Sequence, residues 1–453
     1  MKLIREYKTQ CIYILFGSIV LIFPFLHPGY LFIISLACGI FFSRIKPGSP
    51  IFTMLARESD IKEGKLVGLV YLFSTMATLI FISLFMDLSA GVDKFPLFII
   101  GCAITITTFG DGVGDLINIH EKLKKEEQKN DIKVYSAKSS IVFLISGSLY
   151  AFIIGAWISD FTKPEPYGMI FFLAVIGAIT GALLESITLT EDNIIIPFGS
   201  AMTMWLFYTF SYSVDTLYLI QVLIFAFVLG YLAYRVRIAD ISAMLSATLL
   251  GVVIIISSNV GWFFILLTFF LLGGLFTRYK YEYKLAHGIA EARGGVRGYK
   301  NVFSNSLAAL SLAMVFRIFP AHDMFIISAF LGSIATATGD TLASEIGQTY
   351  KGEPRMITTL KKVHPGIDGA VSGLGEFAAF FGAGVIALLS YLIIQNNLSL
   401  AFAVLAGGFI GTNIDSVLGA TLQQKGYLSN NGVNLVATTL GAIISGMIYL
   451  AVV

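Results

Sequence analysis

Two sets of acidic residues, placed alike in two halves of one chain, carry the chemistry this sequence can offer. In the first half, Phe109-Gly110-Asp111-Gly112-Val113-Gly114-Asp115 closes an apolar run, and Lys138-Ser139-Ser140 follows in a basic stretch. Glu185 then ends a run containing Gly177 and Gly181, and Asp192-Asn193 opens the next. In the second half, Thr338-Gly339-Asp340-Thr341-Leu342-Ala343-Ser344-Glu345 stands at the end of an apolar run, ahead of Thr358-Thr359-Leu360-Lys361-Lys362. Asp415 ends a run containing Gly407, Gly408 and Gly411, and Asn430-Asn431 and Asn434 precede the last apolar run. From Asp111 to Glu185 is 74 residues, and from Asp340 to Asp415 is 75.

Carboxylates at the edge of an apolar span are unfavourable unless they hold a proton, a partner or a metal. Asp111 and Asp115, four apart, share a face if the helix continues. With Glu185, Asp192 and Asn193 they offer a set of hard oxygen ligands. Asp340, Glu345, Asp415, Asn431 and Asn434 offer a second. Such sets suit Mg²⁺, which binds through a few carboxylates and the phosphates of a substrate. Lys138 in one half, and Lys361 or Lys362 in the other, would neutralise phosphate oxygens. A positioned metal and positive charge are what phosphoryl transfer asks of a protein. The second half also carries a long loop, 355–373, rich in glycine, hydroxyl and basic residues, whose backbone amides could cradle phosphate. It is not a Walker A sequence. Arg293-Gly294-Gly295-Val296-Arg297 is another basic, flexible candidate. Plainer readings stand beside these: a Gly-Asp pair can simply end a helix, Lys138 can be a topological charge, and glycines can serve close helix packing. The Lys124-Lys125-Glu126-Glu127 run reads as a solvated surface helix.

The elements that must position these residues are membrane helices. The chain has 453 residues, of which 56% are hydrophobic and 13% charged, and its mean hydropathy is +0.82. Soluble domains carry about 25% charged residues. A net charge of +2 gives no case for nucleic acid. Cys11, Cys38 and Cys102 are too few and too scattered for a disulfide framework or a zinc site, and the five histidines form no metal-spaced pair. Fifteen spans are expected: 11–26, 29–42, 66–86, 95–109, 141–158, 167–184, 194–212, 216–234, 241–258, 261–276, 302–319, 323–338, 374–394, 398–413 and 434–453. With the N-terminus in the cytoplasm, 27 of the 30 Lys and Arg fall in inside loops; Lys94, Lys163 and Arg317 are the exceptions. This asymmetry sets the orientation and places the C-terminus outside. The two motif spans lie an even number of spans apart, so the halves read as parallel seven-span repeats. The expected fold is therefore an all-α polytopic membrane protein: 1–212, a linking helix within 213–234, and 235–453.

The second half resembles the phytyl-phosphate kinase and transmembrane-protein-19-like family, the domain of unknown function 92. The residues that carry the resemblance are Arg297 with Asn305, the run from Ala335 to Gly347, Ile357-Thr358-Thr359, and Pro365-Gly366-Ile367-Asp368-Gly369-Ala370-Val371-Ser372. It implies a membrane enzyme that phosphorylates an isoprenyl monophosphate, with Asp340 and Lys361 at the reaction. Arg293, Arg297, Asn305, Thr358, Thr359, Lys362, Asp368 and Ser372 would bind nucleotide or phosphate. The first half is similar to the dolichol and phytol kinases, through Arg57-Glu58 with Gly64, Gly110-Asp111-Gly112, Lys138-Ser139, and Glu185 with Asp192-Asn193 and Pro197. That resemblance implies transfer of phosphate from CTP to a lipid alcohol, with Asp111, Asp115 and Lys138 catalytic. Ile141-Val142 stand where that family has a Glu-Gly pair, and no Arg-Lys-x-x-His segment is found near the start.

The combined expectation is a cell-membrane kinase of isoprenoid lipids, using Mg²⁺ and CTP or another nucleotide. A prenyl alcohol such as geranylgeraniol would become its monophosphate in one half and its diphosphate in the other. The alternatives are a cytidylyltransferase forming a CDP-lipid, a transporter, since repeats and intramembrane carboxylates also mark transporters, and a lipid-binding scaffold with inactive halves.

Overall fold

The computed structural model describes residues 2–90, 95–125, 137–187, 192–212, 214–319 and 323–453. Apolar sequence with no partner for its backbone in a bilayer must satisfy its own hydrogen bonds, so it folds as helices. Twelve described helices are long and apolar enough to cross a membrane, and two shorter apolar ones accompany them. Each of the fifteen expected spans falls on a helix. The chain divides into two compact units, Met1–Ile220 and Gln221–Val453.

The first unit contains α1 (Lys2–Gly17), α2 (Pro28–Ser43), two short helices α3 (Pro50–Leu55) and α4 (Glu58–Glu63), and α5 (Val67–Ala90). Next come α6 (Leu97–Thr105) and α7 (Gly112–Lys125), joined without a break by a π-helical turn, Ile106–Asp111. Then follow α8 (Ala137–Phe161), α9 (Tyr167–Ile187) and α10 (Asp192–Thr209). The continuous α6–α7 rod lies at the centre, packed by α8, α9, α10 and α1, while α2 packs on α5. The rod is more than 80% buried over its apolar stretch.

The boundary between units falls inside α11 (Thr216–Arg235). The later part of α11 packs on the two helices that follow it, α12 (Ile241–Ser257) and α13 (Val260–Arg278). A Cβ at Gly230 would stand 3.0 Å from Met244 O, and Phe225 meets Phe263 edge-on with centroids 5.7 Å apart. From Gln221 on, the helix expected as a linker is thus part of the second unit's packing. That unit continues with α14 (Tyr281–Ala286), α15 (Tyr299–Ile318) and α16 (Asp323–Gly347). After it come a two-stranded antiparallel ribbon of β1 (Arg355–Met356) and β2 (Ala370–Val371), then α17 (Gly373–Leu389), α18 (Leu398–Leu418) and α19 (Asn430–Val452). α16 is the central rod, packed by α13, α15, α17, α18 and α19.

Glycine sets the approach of these helices. A Cβ at Gly382 of α17 would stand 3.0 Å from the Cα of Gly339 on α16, and one at Gly110 would stand 3.3 Å from the Cα of Gly147 on α8. Small residues let helices meet backbone to backbone in lipid.

Sequence placed the motifs at span ends, but α16 runs on past Asp340 to Gly347 and the α6–α7 rod runs on past Asp111 to Lys125. Hydropathy marks where the apolar surface stops. The backbone remains helical beyond that point because its own hydrogen bonds continue. The remainder of the Lys124-Lys125-Glu126-Glu127 run lies outside the described residues.

Candidate functional site

In the first unit, the π-helical turn delivers Asp111, and Asp115 follows one turn later on α7. Thr105, Thr107 and Thr108 turn their hydroxyls back onto carbonyls four residues earlier, which keeps them out of the site. Wide turns of this kind are frequent at functional positions. Gly181 brings α9 close: a Cβ there would stand 2.8 Å from Ile106 and 3.0 Å from Ser200 Oγ, and Ser200 donates to Gly177 O at 2.9 Å. This packing sets Glu185, fully buried, beside the two aspartates. One carboxylate oxygen from each of Asp111, Asp115 and Glu185 lies within 4.8 Å of the others. Gln10 of α1 donates to Asp115 Oδ2 at 3.4 Å. A geometry this close, with two of the three acids buried, fits a divalent cation.

Asp192 is buried in the first turn of α10 but is not among the three, and the carbonyl of half-buried Asn193 accepts from Thr75 at 3.3 Å. Lys138 is exposed at the start of α8. Its neighbour Ser139 is structural: it donates to Gly114 O and accepts from Asn118, each at 3.0 Å, pinning α8 to α7. Arg57 stacks its guanidinium 3.5 Å over the ring of Tyr13, three residues from Gln10 on α1.

In the second unit, one end of the helical array encloses a polar cavity of about 380 Å³. α16 and α18 end there, and α15, α17 and α19 begin there. The ending helices bring Asp340, Glu345 and Asp415; the beginning ones bring Asn301, Asn305, Gly375 and Asn434. First turns of helices present unpaired N–H groups and a partial positive charge, which favours anions. Asp340 and Asp415 adjoin, side chain to side chain. Asp415 Oδ2 is buried with no hydrogen-bond partner among the described residues. Two adjoining carboxyl groups require a proton or a cation between them, so an orphaned oxygen here fits a bound metal.

Arg297 faces the same cavity. The backbone fixes it through Arg297 N donating to Ile238 O at 2.9 Å and Asp240 N donating to Arg297 O at 3.0 Å. Its guanidinium lies against Gly273, where any side chain would collide with it, and 5.6 Å from the centroid of Phe269. Burial draws the guanidinium below its ordinary value, while the charges of Glu345, Glu291 and Asp340 pull it back up. An arginine remains protonated under such opposition. Asn434 donates to Asn305 at 3.5 Å, joining α19 to α15 across the cavity.

The long loop is split by the structure. Its later strip, from Pro365 to Ser372, lines the cavity and includes Asp368. Gly366 and Gly369 have φ of +86° and +79°, and at Gly369 a side chain would strike Ala420. Glycine is needed where the backbone turns left-handed against a neighbour. Ser372 accepts from Gly375 N at 3.1 Å as the cap of α17, so its hydroxyl is committed to the helix start. The earlier strip turns away. Thr358, Thr359, Lys361 and Lys362 are exposed and do not line the cavity, and Lys362 pairs with Glu353 at 2.7 Å on the surface. Lys362 holds the Glu353 carboxylate below its ordinary range. Asn431, half-buried, is also outside the lining. The Arg293 side chain lies outside the described residues.

Glu345 is in the cavity wall, but its carboxylate is engaged by a residue the sequence did not single out. Lys284 of α14 is fully buried and lies 2.5 Å from Glu345 Oε2. In sequence Lys284 is one more cation in a basic loop. Glu376, in the first turn of α17 and in contact with Asn413 at 3.3 Å, is another cavity acid that sequence reasoning passed over.

Comparison with known proteins bears on this second unit. Residues 224–442 match the family described as integral membrane protein DUF92. An uncharacterized membrane protein of Methanocaldococcus jannaschii is 35% identical over 222 residues, 49% of this chain and 90% of that protein. An uncharacterized membrane protein of Synechocystis is 38% identical over 204 residues, 44% of this chain and 78% of the other. Protein VTE6, chloroplastic, of Arabidopsis thaliana is 29% identical over 210 residues, 45% of this chain and 63% of the other. No solved structure matches the chain.

Proposed function

The chain belongs to the DUF92 family of integral membrane proteins, and from that premise we propose that its second unit is a kinase converting an isoprenyl monophosphate to the diphosphate. The observation that carries this reading is the cavity in which Asp340 and Asp415 adjoin while Arg297 faces in beside three helix starts. Its walls divide by charge as the reaction would. Arg297 and the first turns of α15, α17 and α19 receive phosphate oxygens. Asp340 and Asp415 would hold Mg²⁺, which when bound supplies charge neutralisation to the nucleotide's phosphates. The acceptor is already an anion, so its oxygen attacks the terminal phosphorus without a base as the bond to the bridging oxygen breaks and the nucleoside diphosphate leaves, and the protein's part is to align the two. The polar lining is suited to headgroups, leaving the prenyl chain to the bilayer.

The first unit, on the same proposal, phosphorylates the parent alcohol. Asp111, Asp115 and Glu185 would hold the metal, and Asp111 or Asp115 accepts the proton that the hydroxyl releases on attack. Support for an internal duplication comes from matched crossings, Gly110 with Gly147 and Gly339 with Gly382, each one residue before the first acid of its site. The proposed topology has fifteen spans with the N-terminus and both sites on the cytoplasmic side, where CTP or another nucleotide is available.

The test is phosphate transfer by the purified chain from labelled nucleotide to geranylgeraniol and to its monophosphate. Asp111→Asn should stop the first step and Asp340→Asn the second. No incorporation into either lipid refutes the kinase reading, and loss of both steps from either substitution refutes two separate sites.

A further inference from the structure

Arg297 is a half-buried cation that faces the cavity. Among the described residues its guanidinium makes no ion pair, although Glu291, Asp340 and Glu345 surround the same cavity. A desolvated arginine normally sits in a hydrogen-bonded ion pair. Of the acids around it, Glu345 acts on it most strongly.

Glu345 is prevented from closing that pair. Lys284 Nζ donates to Glu345 Oε2 at 2.5 Å, to Thr277 O at 2.9 Å and to Phe276 O at 3.2 Å. An ammonium has three protons, and all three are used. Two of the acceptors are carbonyls in the last turn of α13, the helix whose Gly273 makes room for the Arg297 guanidinium. Lys284 is therefore saturated and cannot itself receive a ligand. Its fixed position holds the Glu345 carboxylate on the α13 side of the cavity.

We infer that Lys284 is a positioning residue that sequesters Glu345 and so keeps Arg297 unpaired for a phosphate group. This rests on the cavity being the phosphate site proposed above. Without Lys284, Glu345 is an uncompensated anion in the same cavity as Arg297, and the two would neutralise each other. The acidic wall of the cavity then repels the ligand with no cation to offset it.

The test is inorganic phosphate binding to the full chain in lipid nanodiscs, by calorimetry, for wild type, Lys284→Met, the double variant Lys284→Met/Glu345→Gln, and Arg297→Gln. Loss of one charge-assisted contact weakens binding by roughly 10-fold to 100-fold. That is the loss expected for Lys284→Met and for Arg297→Gln. In the double variant the competing carboxylate is gone, and affinity should return to within about threefold of wild type, the lower limit of a meaningful difference. A double variant as weak as Lys284→Met overturns the inference, because a purely structural or ligand-contacting lysine would not be rescued by neutralising Glu345. If Lys284→Met does not fold, the double variant still decides, since it removes both charges of the buried pair together. Wild-type protein that fails to bind phosphate, or Arg297→Gln binding as wild type does, sinks the phosphate site itself. Failed rescue sinks only the role of Lys284.

Discussion

Gly382→Ala is the substitution whose effect follows most directly from the geometry. The added Cβ would stand 3.0 Å from Gly339 Cα, 3.0 Å from Thr338 O and 3.1 Å from Gly339 N. All three are backbone atoms of α16, so no side chain can rotate away. Carbon atoms prefer about 3.5–4.0 Å, so α16 and α17 must part by roughly half an ångström or more. Overpacking of this kind costs about 1–3 kcal/mol. Gly339 directly precedes Asp340, so the same displacement shifts Asp340 against Asp415 of α18. A misplacement of about 1 Å can cost roughly 100-fold in rate, so a several-fold to tens-fold loss of transfer to the prenyl monophosphate is expected. Gly384→Ala, half a turn further on the same helix, is the control. Its Cβ would meet only Leu405 Cδ1 at 3.9 Å, an ordinary contact, and alanine is the better helix former. Thermal unfolding in detergent and the transfer rate are to be measured for both. Equal behaviour of the two variants refutes the claim that the α16–α17 crossing positions Asp340.

Two further outcomes follow from the placement of single residues. Glu185→Gln should lower by one the number of Mn²⁺ ions bound by the full chain, read by electron paramagnetic resonance, because it replaces one of three carboxylates, whose oxygens lie within 4.8 Å, by a neutral amide. Lys362→Ala should leave phosphate transfer unchanged, since Lys362 lies on the surface, and should let the Glu353 carboxylate titrate higher, read by NMR. The folded-state value of Glu353 is depressed, so whatever stability the pair contributes is present above the unfolded carboxylate range and fades as pH falls through the folded value. Both side chains are well exposed, so solvent screening keeps the change in stability small.

How much of this was legible beforehand depends on which physical force placed each residue. Asp111 and Asp115 could be paired from spacing alone, because helical geometry is local. Glu185 and Asp415 were reachable because buried carboxylates inside apolar runs are unfavourable unless used. Arg297 was marked by its motif, but that it makes no ion pair among the described residues is visible only in three dimensions. Lys361 and Lys362 lie outside the cavity lining: loops beside membrane spans are rich in Lys and Arg for reasons of topology, and nothing in a charged loop tells a ligand from a topological charge. Lys284 was hidden in the same way, as one of several cations between Arg278 and Lys300. Its meaning comes from the two carbonyls of α13 and the carboxylate of α16 that meet around it.

On the proposed duplication, the two units share their acidic side and differ in the helix packed beside it. Both place a Gly-Asp pair at a glycine crossing of the central rod and bring a second acid from the helix two further on, Glu185 from α9 or Asp415 from α18. The flanking helices do not correspond in order: α2 packs on α5 and α1 on the rod, whereas α12 packs on α15 and α13 on the rod. α13 is the helix that cradles Arg297 through Gly273. In the first unit the rod-packing helix is α1, which presents Gln10 to Asp115, and Arg57 is stacked on Tyr13 of that helix. On the proposed function, a guanidinium with no ion pair among the described residues suits an acceptor that already carries phosphate, and Gln10 adds an amide donor to the first unit's acids. The common acids would serve the nucleotide in both units, and the exchanged helix would set which lipid each unit accepts.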